Sequence, residues 1–267
     1  MDQTASSLEG WALVLGASSG FGEAASLSFA SAGMDVIGVH LDRRSTMPNV
    51  ERIRCEIEKR GRSALFFNIK AADEAKRRAT LDAVAEQVGS KSVRVLLHSL
   101  AFGTLLPFWS DTEGASLLTK RQLDMTLDVM ANSLVYWTQD MNRRDLFAPH
   151  GRIYAMTSAG STSVWSGYGA VSAAKSALEA HVRQLAVELA PKTITVNAIC
   201  AGVTDTPALR KIPDAEAMIA TALRKNPNDR LTTPADVADS LLALAQPCTH
   251  WLTGNTLYVD GGEIVGG

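Results

Sequence analysis

Short apolar runs alternate with longer stretches whose apolar positions recur at helical spacing, from residue 11 almost to the end of the chain. Strands are predicted over 11–15, 35–40, 63–69, 92–99, 151–157, 193–199 and 257–260. Helical patterns fall between them: after Gly22 as far as Gly33, over 50–60 stopped by Gly61, over 73–88 stopped by Gly89, over 121–143, and from about 167 to 190. A last helix opens at Thr233, Pro234 and Asp236, a hydroxyl cap followed by proline and an early carboxylate. Strand and helix in this order require right-handed crossovers, hence a parallel sheet covered on both faces. The expected fold is α/β, a doubly wound parallel seven-stranded sheet with helices on both faces, formed by residues 1–267 as a single domain. The segment over about 205–230 departs from the pattern. It is rich in Pro, Asn and charge with one short helical run over 214–223, which suits a lid better than a core.

Ligands of such sheets lie beyond the carboxyl ends of the strands, where strand order reverses. Small and polar residues collect at those ends: Gly16 to Gly22, Asn68, Ser99 to Gly103, Ser158 and Gly202 to Thr206. The first of these, GASSGFG, follows a strand and opens a helix, the arrangement that brings backbone amides up to a pyrophosphate. Its spacing is G-x-x-x-G-x-G, and a glycine trio alone is also what ordinary turns contain. The second strand ends at His40 where an acidic residue often grips the adenosine ribose. Arg43 and Arg44 beyond it suit a ribose phosphate, whereas Asp42 beside them does not, and a solvated loop would carry the same residues.

Between the fifth strand and the long helix lies SAGSTSVWSGYGAVSAAK, residues 158–175, which delivers a hydroxyl, a phenol and an ammonium to one sheet edge. Tyr168 and Lys175 are seven apart, about 10.5 Å of helical rise and nearly two whole turns, so the two point the same way. A lysine beside a phenol lowers its pKa and can grip ribose hydroxyls; a packing tyrosine and a solvated lysine would have the same spacing. His98 reads as a packed histidine.

Composition narrows the partners. The 267 residues carry 26 basic and 28 acidic side chains, a net charge of −2, with the basic ones scattered, so nucleic acid is not an expected partner. Three cysteines without close spacing argue against a disulfide framework or a metal site. The first apolar run is too short for a signal peptide or a membrane span, so the expectation is a soluble, cytoplasmic protein with no membrane partner.

The loop GASSGFG, Ser158, Tyr168, Lys175, the run VNAI-x-AG-x-x-x-T and the terminal VDGG together resemble the short-chain dehydrogenase/reductase superfamily, over about residues 10–262. The usual Tyr-x3-Lys pair is absent, since Val171 stands four before Lys175. Tyr-x6-Lys, LLHSLAFGTLLPF and AKSALEAHVRQLAVELAP are similar to bacterial enoyl-acyl-carrier-protein reductases, and the glycine loop, Ser158 and the run DTPALRKIP look closest to their NADPH-using type III branch. The resemblance implies a Rossmann-type fold and reduction of the carbon–carbon double bond of trans-2-enoyl thioesters in fatty-acid biosynthesis. The alternative it leaves open is a reductase or dehydrogenase of ketones, aldehydes or alcohols. It further implies NADPH, or else NADH, a thioester carried on acyl carrier protein or coenzyme A, and a homotetramer. Tyr168 would hydrogen-bond the thioester carbonyl, Lys175 the nicotinamide ribose, and Ser158 would orient substrate. Gly16, Ser18, Ser19, Gly20, Phe21 and Gly22 would meet the phosphates, with His40, Arg43, Arg44, Asn68 and Ile69 around the adenosine. Ser99, Leu100, Ala101, Gly202, Val203, Thr204 and Thr206 would complete the cofactor contacts, Val203 and Thr206 at the carboxamide. Leu15 stands where threonine usually precedes the first glycine, and Met130 and the pair His98-Ser99 replace residues usual in carbonyl-reducing members. Lys and Arg near the lid, Arg210, Lys211, Arg224 and Lys225, would either steer an acidic carrier or be solvated.

Overall fold

Seven strands form one sheet in the order β3-β2-β1-β4-β5-β6-β7, every neighbouring pair parallel, in the computed structural model, which describes residues 8–266. They are β1 Trp11–Leu15, β2 Asp35–His40, β3 Ala64–Asn68, β4 Val93–His98, β5 Phe147–Ser158, β6 Thr195–Ala201 and β7 Thr256–Val259. Each of the predicted strands is present. The order reverses between β1 and β4, which places the switch point beside the first glycine loop.

The helices are α1 Gly20–Ser31, α2 Met47–Lys59, α3 Glu74–Val88, α4 Lys120–Leu127, α5 Ser133–Arg143, α6 Gly169–Leu189, α7 Ala215–Lys225 and α8 Pro234–Leu244. Successive side chains of a strand point to opposite faces, and both faces of this sheet are apolar. Leu13, Leu15, Ile37 and Val39 pack with residues of α3, α5 and α6, while Ala12, Val14 and Tyr154 pack with α1 and α8. That two-sided burial is why the strands read as unbroken apolar runs. Thr233 caps α8 as its sequence foretells: its hydroxyl accepts from Asp236 N, and the Asp236 carboxylate accepts from Thr233 N at 2.8 Å.

Two elements differ from expectation. The helix expected over 121–143 is interrupted by a π-helical turn at Asp128–Asn132, which separates α4 from α5. Ser133 Oγ donates to Val129 O at 2.7 Å within this widened turn, and His98 Nε2 lies 2.8 Å from the same hydroxyl. A side chain from β4 thus meets the helix at the break, a contact that periodicity does not register. Strand β5 also begins earlier than expected, Phe147 pairing with Val93 across an irregularity in register. Among the described residues no helix is long and apolar enough to cross a membrane.

A buried ion pair joins α3 to α5. Arg77 Nε donates to Asp140 Oδ2 at 2.7 Å, and Arg143 reaches the other carboxylate oxygen at 2.8 Å. Burial pushes the Asp140 carboxyl up, but hydrogen bonds and charge from Arg77 and Arg143 outweigh it and hold the pKa below the usual value. Asp140→Ala is expected to cost about 3 kcal/mol in urea unfolding, because Arg77 is left buried and uncompensated. The wild-type contribution is complete above the ordinary carboxylate pKa and is lost as pH falls through the depressed one, so the two proteins should converge in acid.

Candidate active site

The glycine loop is built by close approach of backbone. Gly16 has φ +92°, and a Cβ there would lie 2.3 Å from Ser99 O; a Cβ on Gly22 would lie 2.0 Å from Gly16 O. No side chain fits either place, so β1, the end of β4 and the first turn of α1 lie flush. Gly16 and Ala17 amides bond to Val39 O, and Ser99 N to Leu15 O. Ser19 is the N-cap of α1, and its side chain makes no capping bond. The first amides of a helix have no intrahelical acceptor. A strand, a turn whose glycines let backbone approach closely and an uncapped helix start are what a pyrophosphate requires, so these residues fit a dinucleotide. Thr206 lies over the same helix start, its methyl 3.5 Å from a Cβ at Gly20, and Leu100 lies 3.6 Å from one at Gly16. Phe21 turns its ring into the core cluster beneath α1, leaving only its backbone to the site. Ala101 is exposed just past β4.

At the mouth of β2 a polar corner forms. His40 is buried and its Nδ1 is 2.9 Å from Asp42 Oδ2. Asn68 holds the Asp42 backbone from both sides, accepting from Asp42 N and donating to Asp42 O, each at 3.0 Å. The Asn68 amide is therefore committed to shaping the corner, and Ile69 N is bonded to His40 O. Burial pushes the Asp42 carboxyl up, and hydrogen bonds from Thr46, Ser18 and His40 more than reverse this. Asp42 is thus an ionised group fastened to the glycine loop, while Arg43 and Arg44 lie exposed beyond it.

The phenol and the ammonium each find a partner on the last residues of β5. Tyr168 is the N-cap residue of α6, one position before its first turn. Its hydroxyl is 3.5 Å from Ser158 Oγ, and Gly160 gives its ring room, since a Cβ there would lie 2.4 Å from Tyr168 Cε1. Lys175 is buried, its Nζ donating to Met156 O at 2.7 Å, and burial pushes its pKa down to about 8. The expectation that Lys175 lowers the phenol's pKa is not met. Burial raises Tyr168 above its ordinary value, opposed by the Ser158 hydrogen bond, and Lys175 is not among the causes. The phenol is protonated at neutral pH. Position 171, where the commoner pattern puts its tyrosine, holds Val171 packed in the main core. His98 is fully buried with its pKa near 3, from burial first and the Lys175 charge second, which makes it a packed neutral histidine. Met130, in the π-helical turn, fills the space beside Gly103.

Beyond β6, Gly202 N donates to Val259 O, Val203 N to Glu263 Oε2 at 2.9 Å, and the Thr204 hydroxyl to Gly202 O. Glu263 was not foreseen. It follows the VDGG run directly, but its meeting with Val203, 60 positions away, leaves no mark on local pattern. Segment 205–230 carries α7 and is tied to the loop before Tyr168 by Trp165 Nε1 donating to Pro213 O at 3.2 Å. Arg210 is not free to steer a partner, being paired with both Asp205 and Glu216. No cluster of metal-ligating side chains occurs among the described residues.

A family model described as enoyl-(acyl carrier protein) reductase matches residues 16–263. The short-chain reductase protein NovJ of Streptomyces niveus is 30% identical over 266 residues, covering 98% of this chain and 96% of that protein. An NADH-type enoyl-acyl-carrier-protein reductase of Rhizobium meliloti is 32% identical over 185 residues, 69% of this chain and 66% of its own. The enoyl-acyl-carrier-protein reductase of Bacillus cereus, solved with NADP+ and indole naphthyridinone, superposes with a TM-score of 0.84 at 23% identity, covering 96% of each chain. With a dinucleotide cradle at its switch point and these likenesses along nearly its whole length, the chain belongs to the short-chain dehydrogenase/reductase superfamily, in its enoyl-acyl-carrier-protein-reductase-like family, and is an NAD(P)H-dependent oxidoreductase.

Proposed function

We propose that this chain reduces the carbon–carbon double bond of trans-2-enoyl thioesters, carried on acyl carrier protein or coenzyme A, as a step of fatty-acid biosynthesis. The observation that carries this is the position of Tyr168, seven residues before Lys175 and outside the first turn of α6, with only the core residue Val171 in the nearer position. A ketone reductase needs its acid on the very oxygen whose carbon receives hydride, so phenol and nicotinamide must meet almost at one point. Conjugate reduction separates them, because charge collects on the thioester oxygen while the β-carbon is attacked. A phenol set further from the ribose-gripping lysine suits the second geometry.

The bound nicotinamide supplies the hydride. Tyr168, kept protonated by burial, donates a hydrogen bond to the thioester oxygen, and Ser158, 3.5 Å from the phenol, orients it. Lys175 exchanges Met156 O for the ribose hydroxyls. Segment 205–230 closes over the acyl chain through the Trp165–Pro213 bond. At the adenosine ribose, the anchored Asp42 carboxylate repels a 2′-phosphate and accepts from a 2′-hydroxyl. This weighs for NADH, against the NADPH that Arg43 and Arg44 favour by sequence. The near full-length likeness to a short-chain reductase supports a second activity class, reduction of ketones or aldehydes on the same scaffold.

Rates with crotonyl thioesters beside a ketone panel decide between the two classes. Tyr168→Phe is expected to lower kcat for the thioester about 100-fold, the loss of one oxyanion donor, with cofactor affinity within about twofold. Turnover of ketones alone, undiminished in this variant, would sink the proposal. By fluorescence titration NADH is expected to bind about tenfold more tightly than NADPH, and Asp42→Asn to erase the difference. For Lys175, the unfolded chain holds a proton that the folded one lacks between pH 8 and 10.5, so this group's contribution to stability rises with pH across that window. Lys175→Met removes the penalty and is expected to stabilise the protein at pH 7 by on the order of 3 kcal/mol, with the gap from wild type narrowing towards pH 10. Cys200, whose pKa burial pushes up to about 12, titrates in the opposite sense in both proteins.

A further inference from the structure

The carboxyl-terminal turn after β7 is wired to two parts of the site at once. Asp260 folds the turn on itself, its carboxylate accepting from Gly262 N and Ile264 N at 3.0 Å each, with Gly261 at φ +62° and Gly262 at φ +88°. The turn is held from the lid side by Asn226, buried at the end of α7, whose Nδ2 donates to Asp260 O at 2.9 Å. Asn228 adds a bond to Gly261 O at 2.7 Å. On the other side the turn presents Glu263 to the loop beyond β6. Its Oε2 accepts from Val203 N at 2.9 Å, and a Cβ on Gly202 would lie 2.9 Å from that oxygen and 2.4 Å from Thr232 Oγ1. A side chain at Gly202 would thus meet the Thr232 hydroxyl first and the Glu263 carboxylate next. With the Val203 amide so satisfied, the next amide, that of Thr204, has no acceptor among the described residues.

We propose that Glu263 is a positioning residue for the nicotinamide end of the cofactor: by clamping Val203 it aims the Gly202–Thr206 loop at the carboxamide and links that loop to the root of the lid. A hydrogen bond from an amide to a carboxylate is among the stronger ones, and losing it frees a loop that makes few others. The clamp acts on the half of the cofactor that carries the hydride and leaves the glycine loop untouched. This rests on the NAD(P)H-dependent assignment but on no particular substrate, and the experiment contains none.

Binding of NADH and NADPH is measured by fluorescence, and of ADP-ribose and its 2′-phosphate by calorimetry, for wild type, Glu263→Ala and Glu263→Gln. Glu263→Ala is expected to weaken binding of the reduced dinucleotides about tenfold, with ADP-ribose affinity within about twofold. Glu263→Gln, whose amide oxygen still accepts from Val203 N, is expected to recover most of the loss, within about threefold of wild type. Equal weakening of dinucleotide and ADP-ribose would mark a merely structural residue and overturn the proposal. So would unchanged binding in Glu263→Ala, or tighter binding, which would make Glu263 a plug that the carboxamide displaces. If Glu263→Ala does not fold, Val203→Pro, which removes the same N–H, takes its place: lost nicotinamide affinity with ADP-ribose affinity kept supports the clamp, and intact nicotinamide affinity overturns it.

Discussion

Parallel pairing of all seven strands is the constraint on which the site depends. Because every strand runs the same way, each strand's carboxyl end lies along one edge, and register decides which residues share it. Leu15 pairs with both Val39 and His98, His40 with Asn68, and Ser158 with Ala201. The residue just past each of these becomes a neighbour of the next without any sequence proximity. Parallel strands need crossovers, and the crossovers bury both faces, so the strands' own polar groups gather at the edge.

Burial then sets the chemistry of what is gathered. Loss of water shifts three ionisable groups behind the edge: His98 and Lys175 are pushed down, Tyr168 up. Asp42, at the mouth of β2, gains enough hydrogen bonds to hold its pKa below the usual value against burial. The site therefore offers a proton donor and an ammonium beside β5 and a fixed negative charge at the mouth of β2. That division matches a reaction in which negative charge appears on substrate and must be met by hydrogen bonds already in place.

The lid and the tail form the third layer. Asn226 and Asn228 at the end of α7 reach the turn after β7, and Glu263 in that turn reaches Val203. Trp165 connects the opposite end of the same segment to the loop that carries Tyr168. Segment 205–230 is thus tied at both ends to parts of the site that would meet substrate and cofactor, and a displacement of it is felt at each.

The alternation of apolar runs with helical patterns, the glycine loop and the hydroxyl cap at Thr233 were legible because each is local: two-sided burial leaves no polar position in a strand, and turns and caps need particular residues within a few positions. By itself the chain's order of residues determined the seven strands, the sheet's parallel sense and most of the residues at its edge. It did not reveal the π-helical turn, next to which His98 reaches Ser133 from another element. Nor did it reveal that Lys175 turns to Met156 O, that Asn68 spends its amide on Asp42, or that Glu263 takes the Val203 amide. Those were decided only in the tertiary structure, because which donor finds which acceptor depends on distances set by packing between segments far apart in the chain, and no periodicity encodes such distances.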